Sequence, residues 1–165
     1  MELRKGSQTR RLPLERFYLG YQKKDLQRGE FLVGIRVPAA HDGLRFSSYK
    51  LAKRFDQDIS AVCAGLSVTV ANDRIVDARL AFGGMAATPA RATKAESALV
   101  GNSWSRATFD AAAAALVDDF KPLTDLRAGR EYRMQSAGNL LRRFYLEHTA
   151  AAPKTRTADA LAELP

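Results

Sequence analysis

Cysteine is nearly missing from this sequence. Its one example, Cys63, excludes an internal disulfide and any site built from several thiolates of one chain. Cys63 falls within an apolar run, which predicts a buried, inert thiol. Histidine is as scarce: His41 in a loop and His148 at a helix end have no partner at metal-ligand or catalytic spacing, so both read as exposed bystanders and no metal site is expected. No apolar stretch approaches the roughly 20 residues of a membrane span, and no apolar run follows the basic N-terminus as in a secretory signal. Neither a G-x-G-x-x-G run, a P-loop nor an H-E-x-x-H pair occurs. The net charge of +8 raises nucleic-acid binding. Its Lys and Arg residues are scattered, however, with no basic helix and no aromatic-studded RNA-binding signature. These absences predict neither nucleic acid nor membrane as a partner, and fit a cytoplasmic protein.

What is present suffices for a core: 46% of the 165 residues are hydrophobic and 27% charged. Residues 1–40 read as irregular structure with one strand, Phe31 to Val37, ended by Pro38. Phe17 to Tyr21 has room only for a short helical turn. From Leu44 to Phe82 the period is two. Leu44, Phe46 and Ser48 point one way, and Arg45, Ser47 and Tyr49 the other. Val62, Ala64, Leu66, Val68 and Val70 share a face, as do Val76, Ala78, Leu80 and Phe82. With the polar turn Ala71 to Arg74 between them, these two runs predict a hairpin with one buried side.

Beyond Gly83-Gly84 the period becomes helical. Thr88-Pro89 or a Thr93–Glu96 capping box opens a first helix, and Gly101 closes it. Ser105 caps a second, striped by Phe109, Ala112, Ala113, Leu116 and Phe120. A third runs from about Arg130 to His148, with Met134, Ala137, Leu141, Phe144 and Tyr145 aligned. Asp118-Asp119 reads as surface charge, because adjacent helical residues diverge. Strands first and helices after predict an α+β domain: an antiparallel sheet of three to four strands with three helices on one face. The Ala, Pro and Thr-rich residues 150–165 read as a disordered tail.

Several runs, in order, carry a resemblance. They are Phe46-Ser-Ser-Tyr-Lys50, Lys53-Arg-Phe-Asp-Gln-Asp-Ile-Ser-Ala-Val62, Ala81-Phe-Gly-Gly-Met-Ala-Ala-Thr-Pro-Ala-Arg-Ala92, Asp119-Phe-Lys-Pro-Leu123, Asp125-Leu-Arg127, Tyr132-Arg133 and Asn139-Leu-Leu-Arg-Arg-Phe144. Over residues 41–149 the chain resembles the C-terminal domain of molybdenum hydroxylase flavoproteins, the carbon monoxide dehydrogenase flavoprotein type. Phe55 to Val62 and Gly83 to Pro89 look more like its xanthine dehydrogenase branch. Residues 1–40, with Gly29-Glu-Phe-Leu-Val-Gly-Ile-Arg-Val-Pro38, are similar to the closing stretch of that family's FAD-binding domain. The upstream glycine-rich segments that grip the flavin pyrophosphate are not among these residues, so Met1 is read as the start of a truncated piece.

The resemblance implies a part of an oxidoreductase in which a molybdopterin centre hydroxylates a purine. Electrons then pass through 2Fe-2S clusters to FAD and on to NAD. The implied partners are the rest of the FAD and iron–sulfur subunit and the molybdopterin-binding large subunit. Matching positions make Leu32 an apolar and Lys50 a polar contact of the flavin, although a surface lysine on an edge strand would look the same. They make Lys53, Arg54, Asp56 and Gln57 a loop bordering the face where NAD arrives. Gln57 stands where some relatives carry an acid, and Phe55 where they carry a base. Asp58 either belongs to that loop or caps a turn at Ile59. Gly83-Gly84 reads as an unusual turn and Arg91 as a surface or interdomain contact. No catalytic residue is expected, and the chain alone should be inactive. Two alternatives stay open: a flavoprotein subunit of another molybdenum hydroxylase, or a docking domain that handles no electrons.

Overall fold

The computed structural model describes residues 1–54 and 57–149. The disordered-tail expectation and the expected roles of Phe55 and Asp56 therefore lie outside the described residues. The elements run β1 (Glu2–Lys5), β2 (Gln8–Arg11), β3 (Tyr18–Gly20), β4 (Lys23–Lys24), β5 (Phe31–Gly34), β6 (Leu44–Leu51), β7 (Val62–Ala71), β8 (Arg74–Gly83), β9 (Ala90–Arg91), α1 (Thr93–Leu99), α2 (Arg106–Asp119) and α3 (Arg130–Glu147). The main sheet has the order β6-β7-β8-β9, every neighbour antiparallel, and its inner face packs on α1 and α3, with α2 joining them. This is an α+β fold of the expected kind.

The β7–β8 hairpin forms as its periodicity requires. Asn72 and Asp73 both take left-handed φ, +51° and +59°, the signature of the turn that matches strand twist. Val62, Ala64, Leu66 and Val68 are buried against the helices. One side of the pattern shifts. Register slips between Thr69 and Val70, so Ile75 rather than Val76 enters the core and Val76 faces outward. The cause is a β-bulge, which adds one residue to β8 and resets its alternation. Strand β6 turns its more polar side inward: Arg45, Ser47 and Tyr49 face the helices, while Phe46, Ser48 and Lys50 are exposed.

Residues 1–40 hold more strand than their irregular pattern predicts. Gly6, at φ +59°, turns β1 into β2, and β1 pairs on its other side with β5. Two charged strands give no alternation of apolar residues to read. The expected strand starts at Phe31 but ends at Gly34, and Tyr18–Gly20 is a strand, the short helical turn lying at Leu14–Arg16. Only Leu3 and Phe17 are buried in this stretch, while Phe31, Leu32, Val33, Ile35 and Val37 stay exposed.

One of the helix starts uses a remote partner. Ser105 caps α2 by accepting from the Thr108 N–H, and Gly101 follows α1 at φ +85°, both as expected. The α1 start is different. Ala90–Arg91 is a strand, so Pro89 opens no helix, and no capping box forms. Glu96 is instead buried, accepting from the Leu80 N–H at 2.8 Å and pairing with Arg91 at 2.7 Å. Arg91 thus secures its own domain. Asp119 is no idle surface charge, since it accepts from the Lys94 and Ala95 N–H groups at 2.9 and 3.0 Å, capping α1 from the end of α2. Urea unfolding of Asp119→Ala should show a loss of about 1 kcal/mol. Asp118→Ala should stay within about 0.5 kcal/mol of the parent.

Candidate functional site

One end of the main sheet is organised by a single buried cation. Arg133, in the first turn of α3, is 4% exposed. Its Nη1 donates to the carbonyls of Ala61 and Gly84, its Nη2 to Asp125 Oδ1 at 2.6 Å and its Nε to the Ala128 carbonyl at 3.4 Å. A guanidinium leaves water only where its donors find acceptors in the right places. Arg133 therefore ties together the segment before β7, the turn after β8 and the loop before α3. Gly84 takes φ +80°, and a Cβ there would run into the Ala61 carbonyl. The paired glycines are thus an obligatory tight turn, as the sequence suggests.

Asp125 is held by the same device. Its Oδ1 accepts from the Arg127 and Ala128 N–H groups at 2.8 and 3.1 Å as well as from Arg133. These donors, the Arg127 N–H foremost, hold its carboxyl down to about 2 from an ordinary 3.8.

Above this clasp, strand register aligns three residues across the sheet: Lys50 opposite Cys63, and Cys63 opposite Gly83. The Cys63 thiol occupies the place of the missing Gly83 side chain, so Cys63 is half-buried rather than fully buried. Beside it opens a cleft of about 880 Å³ lined by Tyr21, Ile59, Ser60, Cys63, Gly84 and Met85 among others, with Lys121, Arg127 and Arg133 facing Asp118, Asp119 and Asp125.

The residues singled out from the sequence divide. Lys50 is exposed on the outer face beside Ser48, Cys63 and Gly65, and it has no ion-pair partner among the described residues. Lys53 donates through Nζ to the Leu126 carbonyl at 2.7 Å. Arg54 pairs with Asp58, whose other contacts are the Arg54 and Ile59 N–H groups. Asp58 therefore braces the loop and caps no helix. Gln57 takes left-handed φ, +51°. Lys53, Arg54, Asp58, Ile59, Ala61, Leu126 and Arg127 surround a second cleft of about 410 Å³. Leu32 stands apart on β5, in the three-stranded sheet β2-β1-β5, and lines neither cleft. His148 is no bystander: Ser47 Oγ lies 3.0 Å from its Nε2 and the Phe144 ring packs against it at a tilt, 4.6 Å away.

The outer face near Lys50 is low: Ser48, Cys63 and Gly65 project little there, and the Lys50 ammonium at its rim has no ion-pair partner among the described residues. A pyrophosphate finds no comparable cradle among the described residues. Asp119 holds the N–H groups at the start of α1, Ser105 those of α2, and the Thr124 hydroxyl accepts from Arg130 at the start of α3. Sequence reasoning missed Arg133, Asp125 and Tyr21 as site-builders. The one available signal was a charge next to the apolar stripe of α3.

Comparisons with known proteins show what the chain is similar to. The family described as the CO dehydrogenase flavoprotein C-terminal domain matches residues 47–148. Xanthine dehydrogenase from Oryza sativa subsp. japonica is 31% identical over 149 residues, 87% of this chain but 11% of that enzyme. The xanthine dehydrogenase FAD-binding subunit of Escherichia coli O157:H7 is 27% identical over 92% of this chain and 52% of the subunit. A solved carbon monoxide dehydrogenase from Hydrogenophaga pseudoflava, lacking the Mo-pyranopterin moiety, superposes with a TM-score of 0.80 at 29% identity, covering 86% of this chain and 49% of that one. The chain thus spans about half the length of the relatives of subunit size. Among the described residues, no helix is long and apolar enough to cross a membrane.

Two measurements check the clasp. Gly84→Ala should lose about 1–3 kcal/mol in denaturant unfolding, whereas Gly65→Ala, where a Cβ meets nothing within 4 Å, should be near neutral. The Asp125 carboxyl, followed by NMR, should titrate near 2. Its pKa is lower folded than unfolded, so its stabilisation is present above about pH 4 and disappears as pH falls through 2.

Proposed function

Because this chain belongs to the CO dehydrogenase flavoprotein C-terminal domain family, we propose that it is the flavin-facing part of a xanthine dehydrogenase. Membership makes it part of a molybdenum hydroxylase oxidoreductase. The finer reading is that the complete enzyme oxidises a purine and delivers the electrons to NAD. Supporting the xanthine branch are the runs Phe55 to Val62 and Gly83 to Pro89, and the named xanthine relatives. FAD, when bound, supplies a two-electron relay between iron–sulfur clusters and the nicotinamide acceptor.

The carrying observation is the row Lys50–Cys63–Gly83, with an unpaired ammonium over an open, small-residue face. In this reading Lys50 stabilises negative charge that builds on the ring during reduction, and so sets how readily the ring accepts electrons. Cys63, Gly65 and Gly83 keep the surface low enough for close approach. Lys53, Arg54 and Gln57 border the way in, and the tether from Lys53 to Leu126 holds that border in place. Leu32 is the proposed apolar contact of the ring. Residues 1–40 are the end of a FAD-binding domain, and 41–149 the C-terminal domain. The exposed Phe31, Leu32, Val33, Ile35 and Val37 support this division, since an apolar strand bare on both faces is built to be covered.

On the same reading the phosphates are gripped by the rest of the FAD and iron–sulfur subunit. The molybdopterin-binding large subunit then supplies the electrons, and the chain alone is inactive. The exposed strand equally supports a docking domain that handles no electrons, and the Lys50 experiment separates the two. In the complete enzyme, Lys50→Met should lower the flavin reduction potential, because loss of a cation destabilises the more negative reduced form. Each tenfold loss of stabilisation corresponds to about 30 mV for a two-electron couple. An unchanged potential, with an unchanged flavin spectrum, would remove Lys50 from the ring and leave the docking reading.

A further inference from the structure

The connection from β6 to β7 grows directly out of the Lys50–Cys63–Gly83 row. It leaves β6 after Leu51, next to Lys50, and rejoins the sheet at Val62, next to Cys63. A molecule reaching the row from this end of the sheet must pass it. The base of the loop is closed by the Ala61 N–H, which donates to the Leu51 carbonyl at 2.7 Å. Within it, Asp58 accepts from the Arg54 and Ile59 N–H groups at 3.1 and 2.9 Å. These local bonds shape the loop without fixing where it points.

Direction comes from outside, and both outer anchors lie on one turn. Lys53, near the start of the loop, donates to the Leu126 carbonyl at 2.7 Å. Ala61, at its end, offers its carbonyl to Arg133, which also reaches Asp125 and the Ala128 carbonyl on either side of Leu126. That turn is itself braced. The Asp125 N–H donates to the Ala128 carbonyl, Asp125 Oδ1 accepts from the Arg127 and Ala128 N–H groups, and Thr124 Oγ1 accepts from the Arg130 N–H. Ile59 of the loop and Arg127 of the turn each line both clefts, so together they form the ridge between them. The same guanidinium holds the Gly84 carbonyl at 2.8 Å, one residue beyond the row. A planar fork can reference loop, turn and row to one another, and a point charge cannot.

We propose that Arg133 is a positioning residue for electron exchange: through Ala61 and the Asp125–Ala128 turn it aims the β6–β7 loop, and so sets how well the electron acceptor settles over the Lys50–Cys63–Gly83 row. This rests on the reading of that row as flavin-facing. It goes further by assigning affinity for the acceptor to a side chain only 4% exposed. A wall set in the wrong place weakens binding of what must pass it, while the charge beside the ring stays with Lys50. Small shifts suffice, since a displacement of about 1 Å can cost a reacting pair about a hundredfold.

Two variants test it. Arg133→Lys keeps the charge and loses the fork, whereas Lys53→Met removes an exposed tether and leaves the core intact. In the chain, exchange of the Arg54, Ile59 and Ala61 amides should quicken about tenfold in either variant, roughly the loss of one hydrogen bond. The Leu66 and Leu80 amides of the hairpin should keep their protection. In the complete enzyme, KM for NAD should rise about tenfold in either variant while kcat falls less than about threefold. The double variant should add little more, because both changes act on one loop. Arg130→Ala, on the exposed side of the same helix turn, should alter neither exchange nor KM. Unchanged loop exchange in both variants would overturn the positioning role and leave the flavin reading standing. So would quickening that spreads equally to Leu66 and Leu80. A loosened loop with an unmoved KM would instead refute this face as the acceptor's place, and the proposal with it. If Arg133→Lys fails to fold, Lys53→Met decides by the same two measurements.

Discussion

The arrangement of this protein hangs on the desolvated guanidinium of Arg133. A charge moved from water into a protein interior is costly unless its donors are answered, and here the answers come from three separate loops. Each loop is thereby held to within hydrogen-bond tolerance of the others. Gly84 is glycine because the approach of the Ala61 carbonyl leaves no volume for a side chain. Asp125 is ionised because backbone donors and Arg133 converge on it. The clefts beside Cys63 and Lys53 are consequences of that clasp.

The main sheet divides its two faces between tasks. Inward, β7 and β8 supply Leu66, Leu80 and Phe82 to a core shared with Phe109, Leu116, Leu141 and Phe144. Outward, near the β6 edge, the strands present Ser48, Cys63 and Gly65, with a Lys50 ammonium that has no ion-pair partner among the described residues. Strand β6 departs from this scheme because its inner side is polar. It is joined to α3 by specific hydrogen bonds and ring contacts, where β7 is joined to the core by apolar burial. Apolar contact tolerates small slips and is insensitive to protons. Hydrogen-bonded contact is neither.

Much of this could be read along the chain. The hairpin, the Ser105 cap, Gly101 and the stripe of α2 are local patterns, and each appeared where its chemistry placed it. The row of motifs from Phe46 to Phe144 identified the family before any coordinates. The misreadings share a cause. Asp119, Glu96, Arg91 and His148 looked idle or locally engaged because their partners lie 5 to 101 residues away. The charged strands β1 and β2 carry no apolar alternation, so nothing in their sequence announced them.

From its residues alone, then, this protein has an α+β fold, a two-faced hairpin, three helices and a family. Those follow from periods of two and of 3.6, which every residue expresses through its immediate neighbours. The folded chain alone decided that Ile75 and not Val76 enters the core, that the polar side of β6 turns inward, and that Arg133 gathers three loops. Such choices depend on register and burial, and burial is a property of the whole packed chain: a side chain's cost or gain is unknown until every group around it is in place.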